Sequence, residues 1–562
     1  MQSSVLAGLG SPIAAIGTTA STIVTICAAV TGVTVLVRGV ASRSRRDIAR
    51  KLKICWQVGP DVEQTGALAY NESKESFEEV VLTVTCGLRG REVRRDIGLL
   101  RSGQDYLWAG PLVHDAIAAK RSDRPVVVEA GETHITKPHG VQATFRNGKA
   151  FWFRDEEQTG RVDELVIWAE KTRAVTLKRY FGRRSAFKRA YPVSVTVRAF
   201  ERTEALEQAF TTLAATGDPS PEHGIPDIVV GPHDWIGRVA REESVVEPPI
   251  SRSWTRRIAP AALDALSRND RLYAIPYVFD SVALIRNDTL AGTGPMPRTL
   301  VEAVEAGTEV MRGKDITGGM PVALQVGAPD ANGNAGDPYH MWPLFSSLGG
   351  SFFGYQDSGR FDDISDWRDR FVEAFTRLAE FGGDGVLPPA LGRTEALELF
   401  LGGRAPFFIC SSRGLAAIRA RGMKVTVAAV PAAGHHAARS MVSAYGFYIY
   451  EGGLNIPAAR DLVSSYVAQP KAGLDLNRIQ PLVPVQQDAM SRVAERDAAL
   501  APYVDQCRTG LVMPSWPEMR EAWKLIGRTE YRVLAGDGDP RQLAEEAATQ
   551  GWELLREARG AD

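Results

Sequence analysis

Pro226-Asp227-Ile228-Val229-Val230-Gly231-Pro232-His233-Asp234-Trp235-Ile236-Gly237 is the stretch from which this 562-residue chain is best read. Three consecutive β-branched apolar residues, Ile228 to Val230, predict a buried strand. Gly231-Pro232 ends it, because proline donates no ladder hydrogen bond. Ligands of open α/β sheets bind at the carboxyl ends of strands, and Asp234 and Trp235 stand just past this one. An aromatic face covers the C–H surface of a sugar ring, and a carboxylate accepts its hydroxyls. A turn carrying a structural tryptophan fits the same residues, so both readings stand at this point.

The chain is too long for one core and predicts several domains. Its 44% apolar and 24% charged content is ordinary for globular protein. A net charge of −1 gives no general attraction to polyanions, so no nucleic-acid partner is expected. The five cysteines (Cys27, Cys55, Cys86, Cys410 and Cys507) are odd in number and far apart. They form no disulfide framework or zinc pattern, and free thiols are expected. No nucleophile elbow, phosphate loop or zinc-binding helix is present, so no catalytic residue, metal or cofactor is assigned.

Residues 1–37 carry no charged side chain, and residues 13–37 are mostly Ile, Val, Ala, Thr and Gly. That exceeds the roughly 20 residues needed to span a bilayer, so residues 1–40 are expected to form a transmembrane anchor in contact with lipid. No basic segment precedes the apolar run, as a cleaved signal peptide requires. Ile26 before Cys27 does not fit a lipoprotein site. Arg38, Arg43, Arg45, Arg46, Arg50, Lys51 and Lys53 follow at once. The positive-inside rule keeps that flank in the cytoplasm.

Residues 41–155 read as a small β-sandwich-like domain. Val80, Leu82, Val84 and Cys86 alternate with Val81, Thr83 and Thr85, and Asn147-Gly148 between Phe145 and Phe151 marks a hairpin. Residues 154–163 are polar and read as a linker. From there strands alternate with helices: Leu165-Val166-Ile167-Trp168, a basic helix over 170–190, Val193 to Val197, then a helix over 204–215. This alternation predicts a parallel, doubly wound sheet in residues 156–562. The basic helix carries Lys171, Arg173, Lys178 and Arg179, and it reads as a solvated face. Phe371, Phe375 and Leu378 give an apolar helical face that ends at Gly382-Gly383.

From about residue 162 onward the order of motifs resembles bacterial solute-binding proteins of ABC importers, in the maltose/maltodextrin-binding branch. The resemblance rests on Leu165-Val166-Ile167-Trp168, Ala214-Ala215-Thr216-Gly217-Asp218 and residues 226–237, 273–287, 337–350, 444–449 and 513–523, taken in their order and spacing. It implies an α/β, two-lobe periplasmic-binding-protein-like fold with a hinge, here preceded by the small all-β domain and one N-terminal transmembrane helix. It also implies closure on a ligand without turnover. Family ligand positions fall on Glu207, Asp234, Trp235, Asp280, Asp337, Tyr339 and Trp523, with Trp516 nearby. The sequence departs from the family at Cys410-Ser411-Ser412-Arg413, where Asn-Gly-Pro-Trp is frequent, so Arg413 replaces a stacking tryptophan. Gly231 and Arg286 likewise stand where aromatics are common. Arg413 and Arg286 suit a modified or acidic sugar better than a long neutral maltodextrin.

The resemblance therefore implies a membrane-anchored sugar-binding protein, with a small-molecule carbohydrate and ABC permease subunits as partners. The family habit puts the binding domain outside the cytoplasm, whereas the flanking charges favour the inside. An inward-facing chain would instead be a membrane-bound ligand sensor or scaffold.

Overall fold

The computed structural model describes residues 48–49, 51–57, 66–86, 91–101, 104–109, 140–147, 150–155, 159–161, 164–182, 193–218, 222–250, 252–327, 329, 335–351, 364–389, 391–513 and 518–561. The expected anchor, the Asn147-Gly148 turn glycine and Trp516 lie outside them. Among the described residues no helix is long and apolar enough to cross a membrane. The chain divides into two compact units, Met1–Asp163 and Glu164–Asp562.

The first unit contains two antiparallel sheets. One joins β1 (Leu52–Gln57), β2 (Gly66–Asn71) and β5 (Asp105–Ala109). The other joins β3 (Phe77–Cys86), β4 (Arg91–Leu100), β6 (Gly140–Asn147), β7 (Ala150–Asp155) and β8 (Thr159–Arg161), in the order β4-β3-β6-β7-β8. The sheets touch where β1 meets β6 and β7. Asn147 pairs with Ala150, so the expected hairpin forms. The expected linker does not: Arg161 pairs with Trp152 and Thr159 with Arg154, so the boundary falls at Asp163/Glu164. Polarity misled there, because an edge strand tolerates charge on its open side.

The second unit begins with β9 (Glu164–Glu170), α1 (Lys171–Phe181), β10 (Ser194–Phe200), α2 (Thr203–Thr216) and β11 (Ile228–Pro232). After β12 (Ile275–Asp280) the chain crosses to a second sheet at β13 (Val282–Asn287). That sheet adds β14 (Val322–Leu324), β15 (Phe407–Ser411) and β16 (Val425–Ala428), in the order β14-β15-β13-β16. The chain returns at β17 (Met441–Tyr450), adds β18 (Val483–Pro484), and leaves again after β19 (Leu511–Val512). The first sheet therefore runs β10-β9-β11-β17-β12-β18, with β19 and Val245–Val246 also pairing with β17.

A wholly parallel sheet was expected, and the structure corrects this. β9, β10 and β11 are parallel, but β17 runs antiparallel between β11 and β12. β17 arrives from the other sheet, with no helical crossover to set it parallel. Buried Asp227 aligns the starts of these strands. Its Oδ2 accepts from the Val166 amide at 2.9 Å and its Oδ1 from the Asn455 amide at 2.8 Å, while its own carbonyl accepts from the Tyr450 amide at 3.0 Å.

The second sheet is covered by α3 (Pro338–Ser347), α4 (Ile364–Gly383), α7 (Met519–Ala535) and α8 (Pro540–Ala561), with α5 (Arg393–Leu401) and α6 (Ala501–Thr509) packed elsewhere on the two sheets. Phe371, Phe375 and Leu378 are fully buried, and α4 ends at Gly383 as its periodicity predicts. Arg286 is also buried, bonded through Nε to Asp288 at 2.8 Å and through its terminal nitrogens to the Gly294 carbonyl and Thr426. These internal bonds consume it, so the expectation that it meets a ligand is corrected.

Trp235 is 2% exposed, with Phe210 at 6.2 Å and Tyr448 at 6.1 Å between ring centroids. A Cβ on Gly231 would lie 2.2 Å from its Cζ3, so glycine is what lets the ring lie against β11. The tryptophan is core rather than an open stacking face, and this corrects the reading of residue 235 as a platform. Trp235→Ala should cost ~3–5 kcal/mol of stability by opening a cavity. Gly231→Ala should cost ~1–3 kcal/mol by displacing the ring. Urea unfolding midpoints measure both, and an unchanged midpoint for either would contradict this packing.

Candidate functional site

The crossing from the first sheet to the second is Asp280-Ser281-Val282. Asp280, the last residue of β12, is 3% exposed. Its Oδ1 accepts from the Ser281 amide (3.1 Å), the Ser412 amide (3.1 Å) and Ser412 Oγ (2.9 Å). Its Oδ2 accepts from Arg413 Nε at 3.0 Å. Ser412 and Arg413 follow β15 of the second sheet, so one carboxylate ties the two sheets together where the chain passes between them.

Around Asp280 lie groups from both sheets. Arg173 on α1 is buried and its guanidinium carbon stands 3.2 Å from the centroid of the Tyr445 ring. Its Nη1 donates to Tyr277 Oη at 3.2 Å. From the other side come Tyr339 on α3 and Arg393, the first residue of α5. The Tyr339 hydroxyl is sealed from solvent and has no hydrogen-bond partner among the described residues. Its pKa is pushed well above the usual phenol range, first by burial and then by the Asp280 charge. Arg393 is drawn below its ordinary value by burial and by Arg413, with Asp280 and Asp337 acting against this.

Asp337 caps α3. Its Oδ1 accepts from the His340 amide at 3.1 Å and meets His340 Nδ1 at 3.1 Å, and its Oδ2 accepts from Gln325. Burial alone would raise its pKa, but the His340 charge and these bonds outweigh it and hold the carboxyl below its usual range. Trp523 on α7 is half-buried and lies nearly parallel to buried Trp342, 6.3 Å between centroids.

A second group sits toward Tyr448. Glu207 on α2 pairs with Arg520 on α7 at 3.0 Å and with Arg238 at 3.7 Å. Arg241 pairs with Glu518 at 3.1 Å. The pairs to Arg520 and Glu518 join the first-sheet side to α7 on the second-sheet side. Asp234, just past β11, is exposed to solvent but lies beside Glu207, Arg238 and Arg520. Its pKa is pushed up to about 7 by burial and then by Glu207.

Of the expected site residues, Asp280, Tyr339 and Arg413 come together at the crossing, where Asp280 and Arg413 are bonded to each other. Glu207 and Asp234 form the second group. Asp337 is occupied by its own neighbours, Trp235 is core, and Trp516 lies outside the described residues. Sequence reasoning missed Arg173, Tyr277, Arg393 and Tyr445. Arg173 was absorbed into a basic helix face, although its flanking Ala174 and Leu177 are buried too. Only its spacing from those apolar residues separates it from exposed Lys178 and Arg179.

No ligand is needed to see what the arrangement offers: carboxylates, guanidinium groups and aromatic rings converge where two sheets meet. Residues 183–502, more than half of the chain, match the bacterial extracellular solute-binding protein family. The chain belongs to that family. It is similar to the galactooligosaccharide-binding protein of Bacillus subtilis (strain 168), 21% identical over 402 residues that cover 70% of this chain and 89% of the relative. It is also similar to the maltotriose-binding protein of Pyrococcus abyssi (strain GE5 / Orsay), 23% identical over 379 residues covering 64% and 76% of the two chains. Both relatives are sugar-binding proteins by name.

The raised Asp234 pKa has a consequence for stability. Its ionised form is disfavoured in the folded protein, so this group costs nothing below about pH 4, and its cost grows as pH rises toward about 7. Asp234→Asn removes that cost. The thermal midpoint of this variant relative to the parent should rise between pH 5 and pH 8. A difference that stays flat with pH would show that Asp234 ionises normally.

Proposed function

We propose that the protein is an extracytoplasmic carbohydrate receptor serving an ABC-type importer. It closes the two sides of residues 164–562 on an oligosaccharide and performs no turnover. The observation that carries this reading is the convergence at Asp280-Ser281-Val282 of polar and aromatic side chains from both sheets. Ligand contacts drawn from both sides are what allow binding to shift an open–closed equilibrium. Sugar-binding relatives support the choice of ligand class.

Within this reading Trp523 offers a stacking face, with Trp342 supporting it from behind. Glu207, Asp234 and Tyr339 supply acceptors or donors for hydroxyls. Arg413 stands with Asp280 as the charged centre. Residues 1–40 tether the protein to the membrane and permease subunits receive the sugar.

A thermal-shift series of the full chain against galactooligosaccharides and maltotriose tests the ligand class. A ligand at 100 times its dissociation constant stabilises by ~2.7 kcal/mol, which is readable as a shift of the midpoint. Silence across the whole series would remove the carbohydrate reading. Trp523→Ala should weaken any sugar that does bind by ~1–3 kcal/mol through the lost stacking area.

Topology is tested separately with a cysteine introduced as Gln158→Cys. On intact cells a membrane-impermeant thiol reagent should label it. Labelling only after lysis would place the binding region inside, and would turn the reading toward a sensor.

A further inference from the structure

Away from the crossing, the edge of the first sheet carries a recess of its own. β18 is the edge strand there and runs antiparallel to β12, with Val483 opposite Phe279 and Pro484 opposite Val278. The chain therefore moves away from Asp280 on its way to Gln486. Gln486 meets Ile258 in an isolated bridge, and the Gln487 amide donates to the Arg257 carbonyl at 2.9 Å. Between these segments and Ala468-Gln469-Pro470 lies a recess of about 130 Å³, with Trp254, Arg257, Ala468, Pro470 and Gln486 among its walls.

A π-helical turn, Leu462–Val467, ends at this recess. The Ala468 amide closes it by donating to the Val463 carbonyl, five residues back, at 2.9 Å. Turns of this width are rare and recur at functional sites. Here the Ala468 carbonyl accepts from Trp254 Nε1 at 2.9 Å and from Gln486 Nε2 at 3.4 Å. One carbonyl thus holds two walls of the recess. With Nε2 committed, the Gln486 carboxamide has a set direction and its Oε1 is left over. Gln486 is 1% exposed, and Oε1 has no hydrogen-bond partner among the described residues. Gly473 borders the same oxygen, and a Cβ there would stand 2.6 Å from it.

A buried carbonyl oxygen without a donor is costly. The recess it lines has the volume of about four waters at about 30 Å³ each, enough for one small ring and too little for a chain. The half-buried Trp254 and Pro470 rings supply apolar surface, and exposed Arg257 supplies N–H donors from the solvent side. A pyranose matches all three, because one rigid ring carries C–H faces, hydroxyl donors and hydroxyl acceptors. The buried polar group is a neutral acceptor, so it selects a hydroxyl rather than an anion. We propose that this recess is a second carbohydrate site, separate from the crossing, that seats a single neutral pyranose ring on Trp254 with a hydroxyl donated to Gln486 Oε1.

Saturation-transfer NMR on the full chain tests this, with methyl β-galactopyranoside and methyl α-glucopyranoside as probes. At least one should bind with millimolar affinity. Gln486→Met removes the acceptor at similar volume and should weaken that binding about tenfold, the worth of one buried hydrogen bond. Its thermal midpoint should not fall, since the oxygen removed had no partner. Should it fall, Arg257→Gln decides instead: the position is exposed, and the variant should weaken the glycoside about threefold. Trp523→Ala, at the crossing, should leave the signal in place.

Silence from both glycosides overturns the proposal. So does a signal indifferent to the recess variants, or one lost entirely in Trp523→Ala, because the sugar would then sit at the crossing alone. Cyclohexanol, a six-membered ring with one hydroxyl, should bind at least tenfold more weakly. Equal binding of cyclohexanol overturns the proposal, because the recess would then take any ring. None of these outcomes bears on the oligosaccharide reading of the crossing, which the thermal-shift series tests separately.

Discussion

The Asp280 carboxylate is the interaction on which the arrangement depends. It closes β12 of one sheet and holds the Ser412 amide, the Ser412 hydroxyl and the Arg413 guanidinium, all from the loop after β15 of the other. The backbone beside it is braced as well. The Val282 carbonyl accepts from Gln506 Nε2 at 2.7 Å and from Ser440 Oγ at 3.2 Å, and Tyr503 Oη donates to the Cys410 carbonyl at 2.9 Å. Gln506 and Tyr503 both lie on α6, so one helix supports the first crossing and the loop that Asp280 grips. Removing the carboxylate would leave the Ser412 amide and hydroxyl and the half-buried Arg413 without their shared acceptor.

This tie decides which groups remain available to a ligand. Four donors already occupy Asp280, so little of its accepting capacity faces outward. The same is true of Asp337, filled by His340 and Gln325. Among the described residues, unused hydrogen-bonding capacity therefore sits on donors, at Tyr339, Arg393 and the terminal nitrogens of Arg413. Acceptors are left over chiefly at Asp234. The chemistry of the site follows from what the structural bonds leave unspent rather than from the inventory of acids and bases that surround it.

The sequence made some of this legible. The apolar run Ile228 to Val230 became a buried strand, and α4 followed its helical spacing. These succeed because burial imposes periodicity that can be read directly. The failures share a different cause. Trp235 looked like a platform because nothing local shows that Gly231, four residues earlier, has vacated the space its ring fills. Arg286 looked available because its partners Gly294 and Thr426 come from a following loop and from another strand. The antiparallel β17 was invisible for the same reason, since its place is set by a return from the second sheet. Each of these depends on what lies opposite in space, and a single sequence does not print that.

The outer ion pairs and the inner tie at Asp280 contribute unequally to holding the two sides together. Arg520–Glu207 and Arg241–Glu518 bridge the two sides, but the arginines are more than half exposed. Pairs of that kind contribute ~0–1 kcal/mol each in water and less in salt. They orient the two sides without locking them. Inside, the Asp280–Arg413 pair joins the two sheets at the crossing itself, with Asp280 buried, so it counts for more than either rim pair. A ligand shifts an equilibrium only by its differential affinity for the two states. Contacts made at Asp280-Ser281-Val282, where groups from both sheets meet, are the ones able to supply that difference.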